Sequence, residues 1–161
     1  MADGHAARYF NQCSQLGGML DMLTDRASTV ALMILLSNFY SDYLYWFMGL
    51  IVLDIVSHFA RISANLMTGK LSHKMTESKH HWLLNIYYEN KYFLALLCGM
   101  NEGFFLFTYL SHFIQLPIIS FVQWYILFPG SFLKQSISVL QFYQSLQDIV
   151  DFDESKMKSI N

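Results

Sequence analysis

Residues 17–39 read Gly-Gly-Met-Leu-Asp-Met-Leu-Thr-Asp-Arg-Ala-Ser-Thr-Val-Ala-Leu-Met-Ile-Leu-Leu-Ser-Asn-Phe, a stretch that opens on acids and closes on apolar side chains. From Ala31 to Leu36 every residue is apolar. The run has the roughly 20-residue length that a helix needs to cross about 30 Å of hydrocarbon. Three more such runs follow: about Tyr43 to Met67, interrupted by Asp54, His58 and Arg61; about Tyr92 to Phe113, containing Asn101 and Glu102; and Pro117 to about Leu146, with Pro129-Gly130 in its middle. Composition agrees, since the 161 residues are 54% hydrophobic and 17% aromatic with only 14% charged. A mean hydropathy of +0.31 is too high for an ordinary soluble domain of this length. The expected fold is all-α, a polytopic transmembrane helical bundle of about four spans. Residues 1–150 form its membrane domain and 151–161 a cytosolic tail. Pro129-Gly130 predicts either one long kinked helix or a shorter span with a helical extension.

Basic residues set the expected orientation, because Lys and Arg concentrate in cytoplasmic loops. Neither Phe39–Asp42 nor Ser111–Leu116 holds one, whereas Arg8, the Thr68–Lys91 segment with Lys70, Lys74, Lys79 and Lys91, and the tail with Lys156 and Lys158 do. Four spans starting inside put all of these in the cytosol. A net charge of −2 leaves no electrostatic footprint for nucleic acid. Cys13 and Cys98 fall at different depths in this topology and imply no disulfide framework.

The acids have a pattern. Asp3-Gly4-His5-Ala6-Ala7-Arg8 is followed, after eight residues, by Gly17, then Asp21 and Asp25 at intervals of four. On a helix, Gly17, Asp21 and Asp25 share one face, a turn apart. A glycine there leaves room for a ligand or for another helix backbone. The segment from Tyr9 to Leu16 is long enough to fold Asp3 back, so three carboxylates can converge on one or two divalent cations. An all-oxygen set suits Mg²⁺ or Mn²⁺ better than zinc. Gly4 permits close approach of backbone to a phosphate, and Arg8 supplies a forked donor for one. These parts describe metal-assisted phosphoryl transfer at a membrane surface. The alternative is that Asp3 and Arg8 are solvated while Asp21 and Asp25 pair with Arg26 or cap the helix start.

Asp-Gly-x2-Ala-Arg-x8-Gly-x3-Asp-x3-Asp resembles the signature of the CDP-alcohol phosphatidyltransferase family, membrane enzymes that displace CMP from a CDP-linked substrate with an alcohol. Met19–Arg26, Ser72-His73-Lys74-Met75, Ile86-Tyr87-Tyr88 and Asp54–His58 are similar to its eukaryotic inositol-using branch. The resemblance covers most of the chain, the last 40 or so residues matching mainly in hydrophobic character. It implies that CDP-diacylglycerol and myo-inositol give phosphatidylinositol and CMP. It further implies that Asp3, Asp21 and Asp25 hold Mg²⁺ or Mn²⁺, that Asp25 takes the proton of the attacking hydroxyl, and that Gly4, Arg8 and Ser14 contact CDP-diacylglycerol. An endoplasmic reticulum membrane, a cytosol-facing site and a homodimer follow from the same likeness. The family pattern begins with a further Asp three residues before Asp3, and about two more helices precede it, giving six in all. The chain is therefore expected to be truncated at its amino end. Alternatives are another acceptor alcohol, or an inactive short form that pairs with the full-length enzyme.

Other polar residues stay open. Asp54, His58 and Arg61 lie at i, i+4 and i+7, where they either line an inositol pocket or pair across helices. Asn101-Glu102 reads as interhelical hydrogen bonding. His80-His81 reads as a cytosolic interface rather than a metal site. Lys70, Lys74 and Lys79 fit either a solvated loop or attraction to anionic headgroups.

Overall fold

The computed structural model describes residues 9–12, 14–68 and 90–160. Expectations for Asp3, Gly4, Arg8, Cys13 and the loop carrying Lys70, Lys74, Lys79, His80 and His81 fall outside the described residues. Four long helices are described: α1 (Gln15–Phe39), α2 (Leu44–Met67) and α3 (Lys91–Phe113) stand where the first three spans were expected, whereas the fourth expected run, Pro117 to about Leu146, is divided between the short α4 (Pro117–Phe121) and a long α5 (Phe128–Ile160) that ends well beyond it. No strand occurs among the described residues.

Local chemistry sets the helix ends. Ser14, with extended backbone, accepts the Gly17 N–H at 2.9 Å and caps α1. Asn90 accepts from the N–H groups of Tyr92 and Phe93 and caps α3. Each side chain satisfies donors that a helix start leaves without partners. A 3₁₀ turn, Ser41–Tyr43, reverses the chain between α1 and α2. At that end the rings of Phe39 and His112 stack at 4.4 Å, so α1 and α3 finish side by side.

Pro117 opens α4 at a position where its missing N–H costs nothing. A π-helical turn, Val122–Leu127, then joins α4 to α5. Pro129 explains it, because a proline cannot donate to the carbonyl of the preceding turn and its ring presses on that carbonyl. The chain widens there and Phe128 N–H reaches Gln123 O, five residues back. The irregularity expected at Pro129-Gly130 therefore lies one turn upstream. α5 alone has 33 residues, about 50 Å at 1.5 Å per residue, more than one bilayer core needs.

The bundle is polar inside and apolar outside. Buried positions include Asp54 and Ser57 on α2, Asn101 on α3, and Ser131, Lys134, Ser138, Gln141, Gln144 and Ser145 on α5. Val52, Ile55, Phe59, Leu96, Leu106, Phe132 and Val139 face outward. In water each such exposed side chain forfeits roughly 1.5–3 kcal/mol of burial, which a small domain cannot sustain over whole helix faces. In lipid the same surface costs nothing. Ser41–Met67 and Tyr92–Phe113 are each long and apolar enough to cross a membrane. Small apolar centres remain, Met33, Leu36 and Phe105 in one and Leu97 with Ile137 in the other.

With lipid outside, burial does not drive helices together; close packing and interhelical hydrogen bonds do. Ser57, Ala60 and Ala64 line the buried face of α2 and let α5 approach. Ser131 Oγ and Gln135 Nε2 both donate to Asn101 Oδ1, at 2.9 and 3.1 Å. Gln123, buried in the π turn, donates to Thr108 Oγ1 and accepts from Ser111 Oγ. The expected interhelical role thus belongs to Asn101, while Glu102 points outward.

Candidate active site

Asp21 and Asp25 lie one turn apart on α1 and both are exposed. They flank the packed stripe of that helix, which runs through Arg26, Thr29, Met33 and Leu36. Among the described residues the Asp25 carboxylate has no hydrogen bond or ion pair, whereas its backbone carbonyl accepts from Ser28 and Thr29 hydroxyls at 2.9 and 3.0 Å. Thr24 likewise donates to the carbonyls of Leu20 and Asp21. Hydroxyls therefore fold back onto their own helix and leave the carboxylates outward. Gly17 continues the same face; a β-carbon there would meet only the Ser14 hydroxyl, at 3.0 Å. No second helix crosses Gly17 among the described residues, so open space rather than helix approach is what the glycine provides.

Arg26 settles the alternative left open for the acids. Its Nη1 lies 2.8 Å from Asp54 Oδ1 on α2, so it pairs across the bundle instead of with its neighbour Asp25. His58 joins the pair, with Nδ1 2.8 Å from Asp54 O and 3.6 Å from Oδ1. Arg61, a turn further on, approaches Asp148 of α5 at 3.9 Å. The polar series on α2 is thus shared between two neighbours, Asp54 facing α1 and Arg61 facing α5. Sequence reasoning missed Lys134 altogether. It is 3% exposed and donates to Ser138 Oγ at 2.9 Å. The signal was present, since Ser131, Lys134, Ser138, Gln141, Ser145 and Asp148 recur every three or four residues inside an apolar span.

Among the described residues no group of three or more His, Cys, Asp and Glu is gathered for a metal. Asp21 and Asp25 supply two carboxylates on one helix face, and the third expected ligand, Asp3, is outside the described set. Their all-oxygen chemistry and exposed placement fit a hard divalent cation.

Residues 1–128 match the CDP-alcohol phosphatidyltransferase family. The chain belongs to that family. It is 35% identical over 156 residues to the CDP-diacylglycerol–inositol 3-phosphatidyltransferase of Drosophila melanogaster, covering 94% of this chain and 68% of the relative. The enzyme of the same name from Homo sapiens is 35% identical, covering 94% and 73%. That from Saccharomyces cerevisiae is 37% identical over 161 residues, covering 99% and 72%. No solved structure matches. In this CDP-alcohol phosphatidyltransferase the family match takes in α1 to α4 and the π turn, and so includes both motif acids and the Arg26–Asp54 pair.

Proposed function

We propose that this chain transfers the phosphatidyl group of CDP-diacylglycerol to myo-inositol, giving phosphatidylinositol and CMP. The observation that carries the reading is the likeness at 35–37% identity, over nearly the whole chain, to relatives bearing that activity in their names. The exposed Asp21–Asp25 pair supports it. An inositol hydroxyl oxygen attacks the phosphorus that carries diacylglycerol, the bond from that phosphorus to the CMP oxygen breaks, and the hydroxyl proton passes to Asp25. A sugar hydroxyl is a poor nucleophile at neutral pH, so a carboxylate within hydrogen-bond reach removes part of the barrier. Asp25 suits this work because its carboxylate is not tied up in the bundle.

Asp3, Asp21 and Asp25 would hold Mg²⁺ or Mn²⁺. A bound divalent cation neutralises charge on the diphosphate and the departing phosphate. Gly4 and Arg8 would contact the cytidine diphosphate part. Ser14 would contribute its hydroxyl proton for the same purpose, since among the described residues its oxygen accepts from Gly17 N–H and donates to nothing.

The site would face the cytosol from an endoplasmic reticulum membrane. In support, the segment rich in Lys begins where α2 ends, at the end of the bundle where α1 starts with its acids. A homodimer rests on family likeness alone, as does treating 1–150 as the membrane domain with 151–161 as tail. The test is release of CMP from CDP-diacylglycerol by membranes containing the chain, with myo-inositol and Mn²⁺ or Mg²⁺ present. CMP release that depends on inositol is the expected result. Release with glycerol phosphate, choline or ethanolamine but not with inositol would reject the acceptor.

A further inference from the structure

We propose that Asp54 is a positioning residue for phosphatidyl transfer: through Arg26 it sets the rotation of α1 about its own axis, and so the place of the Asp21 and Asp25 carboxylates. The proposal rests on the function read above, in which those two acids act, and adds to it a residue from a different helix.

From Leu16 to Asp25 the residues of α1 are exposed, except for the half-buried Met22. α1 therefore leaves the bundle just N-terminal to Arg26, the one basic residue in that helix. Its packed stripe begins there and runs away from the acids through Thr29, Met33 and Leu36. The motif acids thus ride on a projecting stretch of helix whose heading is set at Arg26.

Apolar packing leaves that heading open. Ile34 and Leu35 are 57% and 39% exposed, whereas Met33 and Leu36 beside them are buried, so a turned α1 could bury the first two in place of the others. In lipid the exchange costs little, because the bilayer is as apolar as the leucines. A directional contact has to choose. Arg26 supplies it, with Nη1 2.8 Å from Asp54 Oδ1 on α2. His58 Nδ1 stands 3.6 Å from the same oxygen and 2.8 Å from the Asp54 carbonyl, so the carboxylate is held between the two side chains.

As a source of stability the pair is poor. One hydrogen bond joins it, and Asp54 Oδ2 and Arg26 Nε are buried with no hydrogen-bond partner among the described residues. Buried ion pairs can often be replaced by apolar residues without loss of stability, and their best-attested use is to fix a register. Ionisable residues kept inside a membrane bundle point the same way, to function rather than cohesion.

The lever is short and stiff. Asp25 adjoins Arg26, and Asp21 lies one turn further along the same helix. A rotation of α1 by about 20° sweeps side chains at a radius of about 5 Å through about 2 Å, whereas metal–ligand distances hold to about 0.2 Å. A displacement of about 1 Å at reacting groups can cost about 10²-fold in rate.

The full chain in lipid nanodiscs is assayed for CMP release with CDP-diacylglycerol and myo-inositol, for Mn²⁺ binding without substrate by electron paramagnetic resonance, and for its unfolding midpoint. Two variants separate placement from stability. Arg26→Met with Asp54→Leu exchanges the pair for apolar side chains and should unfold at or above the parent midpoint. It should nonetheless lose about tenfold or more in kcat and in Mn²⁺ affinity. Asp54→Glu keeps the charge pair and lengthens it by one methylene, which keeps the test decisive where the double variant fails to fold. Its kcat should also fall about tenfold or more, with KM for CDP-diacylglycerol within roughly twofold of the parent. Adding Arg26→Lys, which shortens the partner, should return part of the rate. Folded variants with the kcat and Mn²⁺ affinity of the parent overturn the positioning role and leave the proposed function standing. Losses that only track the unfolded fraction overturn it as well. A parent chain that releases no CMP rejects the function itself, and the positioning role with it.

Discussion

Arg26 on α1 donates to Asp54 on α2 at 2.8 Å, and that single contact fixes which way α1 faces. With Arg26 turned inward, its neighbour Asp25 is left at the flank with a free carboxylate. Replacing Arg26 by Ala strands a carboxylate that is 5% exposed. Breaking a buried pair from one side costs about 3 kcal/mol. Thermal unfolding in detergent should therefore show Arg26→Ala well below the parent, and the exchange Arg26→Asp with Asp54→Arg should recover part of the loss. Equal midpoints for the parent and Arg26→Ala would mean that the pair holds nothing.

Asp25→Asn keeps the size of the side chain and removes its basicity. Phosphatidyl transfer should fall by about 10²–10⁴-fold, the range that general base catalysis supplies. Membrane insertion and helix content should not change, because the Asp25 side chain has no partner in the bundle among the described residues. Rate of CMP release and circular dichroism on the same preparation separate the two effects.

Ser14→Ala tests the start of α1. It removes the acceptor of the Gly17 N–H, and loss of a Ser cap costs about 1 kcal/mol. Amide hydrogen exchange at Gly17 and Gly18 should accelerate while exchange beyond Thr29 stays as in the parent. Ser14→Asn, which caps as well, should restore protection. An unchanged exchange rate at Gly17 in Ser14→Ala would contradict the cap.

Much of the fold was legible because lipid imposes one length and one polarity on every span. The first three apolar runs begin and end within two or three residues of the observed helices: Gly17 against Gln15 for α1, Tyr43 against Leu44 for α2, Tyr92 against Lys91 for α3. The fourth, Pro117 to about Leu146, instead divides between α4, the π turn and an α5 that runs on to Ile160. Pairing across helices was harder to read. Arg26 has Asp25 beside it in sequence, and no periodicity rule reveals that Asp54, 28 positions away, is nearer in space. Their spacing puts Asp54, His58 and Arg61 on a common side of α2, but Asp54 and Arg61 pair with different helices. A proline in sequence marks its own position, whereas the missing donor and the ring of Pro129 act on carbonyls of the preceding turn. The distortion therefore lies upstream, at Val122–Leu127. Of the site, Asp21 and Asp25 were legible as a pair from their spacing. Lys134 is hard to read from sequence because the polar stripe of α5 is interleaved with an apolar run.

Gly130→Ala probes a close contact between α3 and α5. A β-carbon at Gly130 would lie 2.5 Å from Met100 Sδ and Cε and 2.8 Å from its Cβ. The thioether can swing aside, but the Met100 β-carbon moves only with its helix. Overpacking of this kind costs about 1–3 kcal/mol. The unfolding midpoint should drop in Gly130→Ala and stay low in Gly130→Ala with Met100→Ala, because that double variant retains the Cβ–Cβ clash. Met100→Gly should relieve it. Recovery by Met100→Ala alone would show that the side chain, and not the helix separation, sets the limit.

Gln123→Leu should be mild although Gln123 is buried and makes two hydrogen bonds. Its partners have a second option on their own helix. Thr108 Oγ1 already donates to Phe104 O at 2.7 Å, and Ser111 Oγ to Phe107 O at 2.7 Å. Removing the amide therefore leaves no hydroxyl proton without an acceptor. Interhelical hydrogen bonds in membranes average about 0.6 kcal/mol, which puts the loss near 1 kcal/mol for the two. Arg26→Ala has a weaker fallback, since Asp54 Oδ2 has no hydrogen-bond partner among the described residues and His58 Nδ1 stands 3.6 Å from Oδ1. Compared in the same detergent, the two variants should differ severalfold in their drop of unfolding midpoint. A Gln123→Leu drop as large as that of Arg26→Ala would mean that the π turn itself depends on this amide.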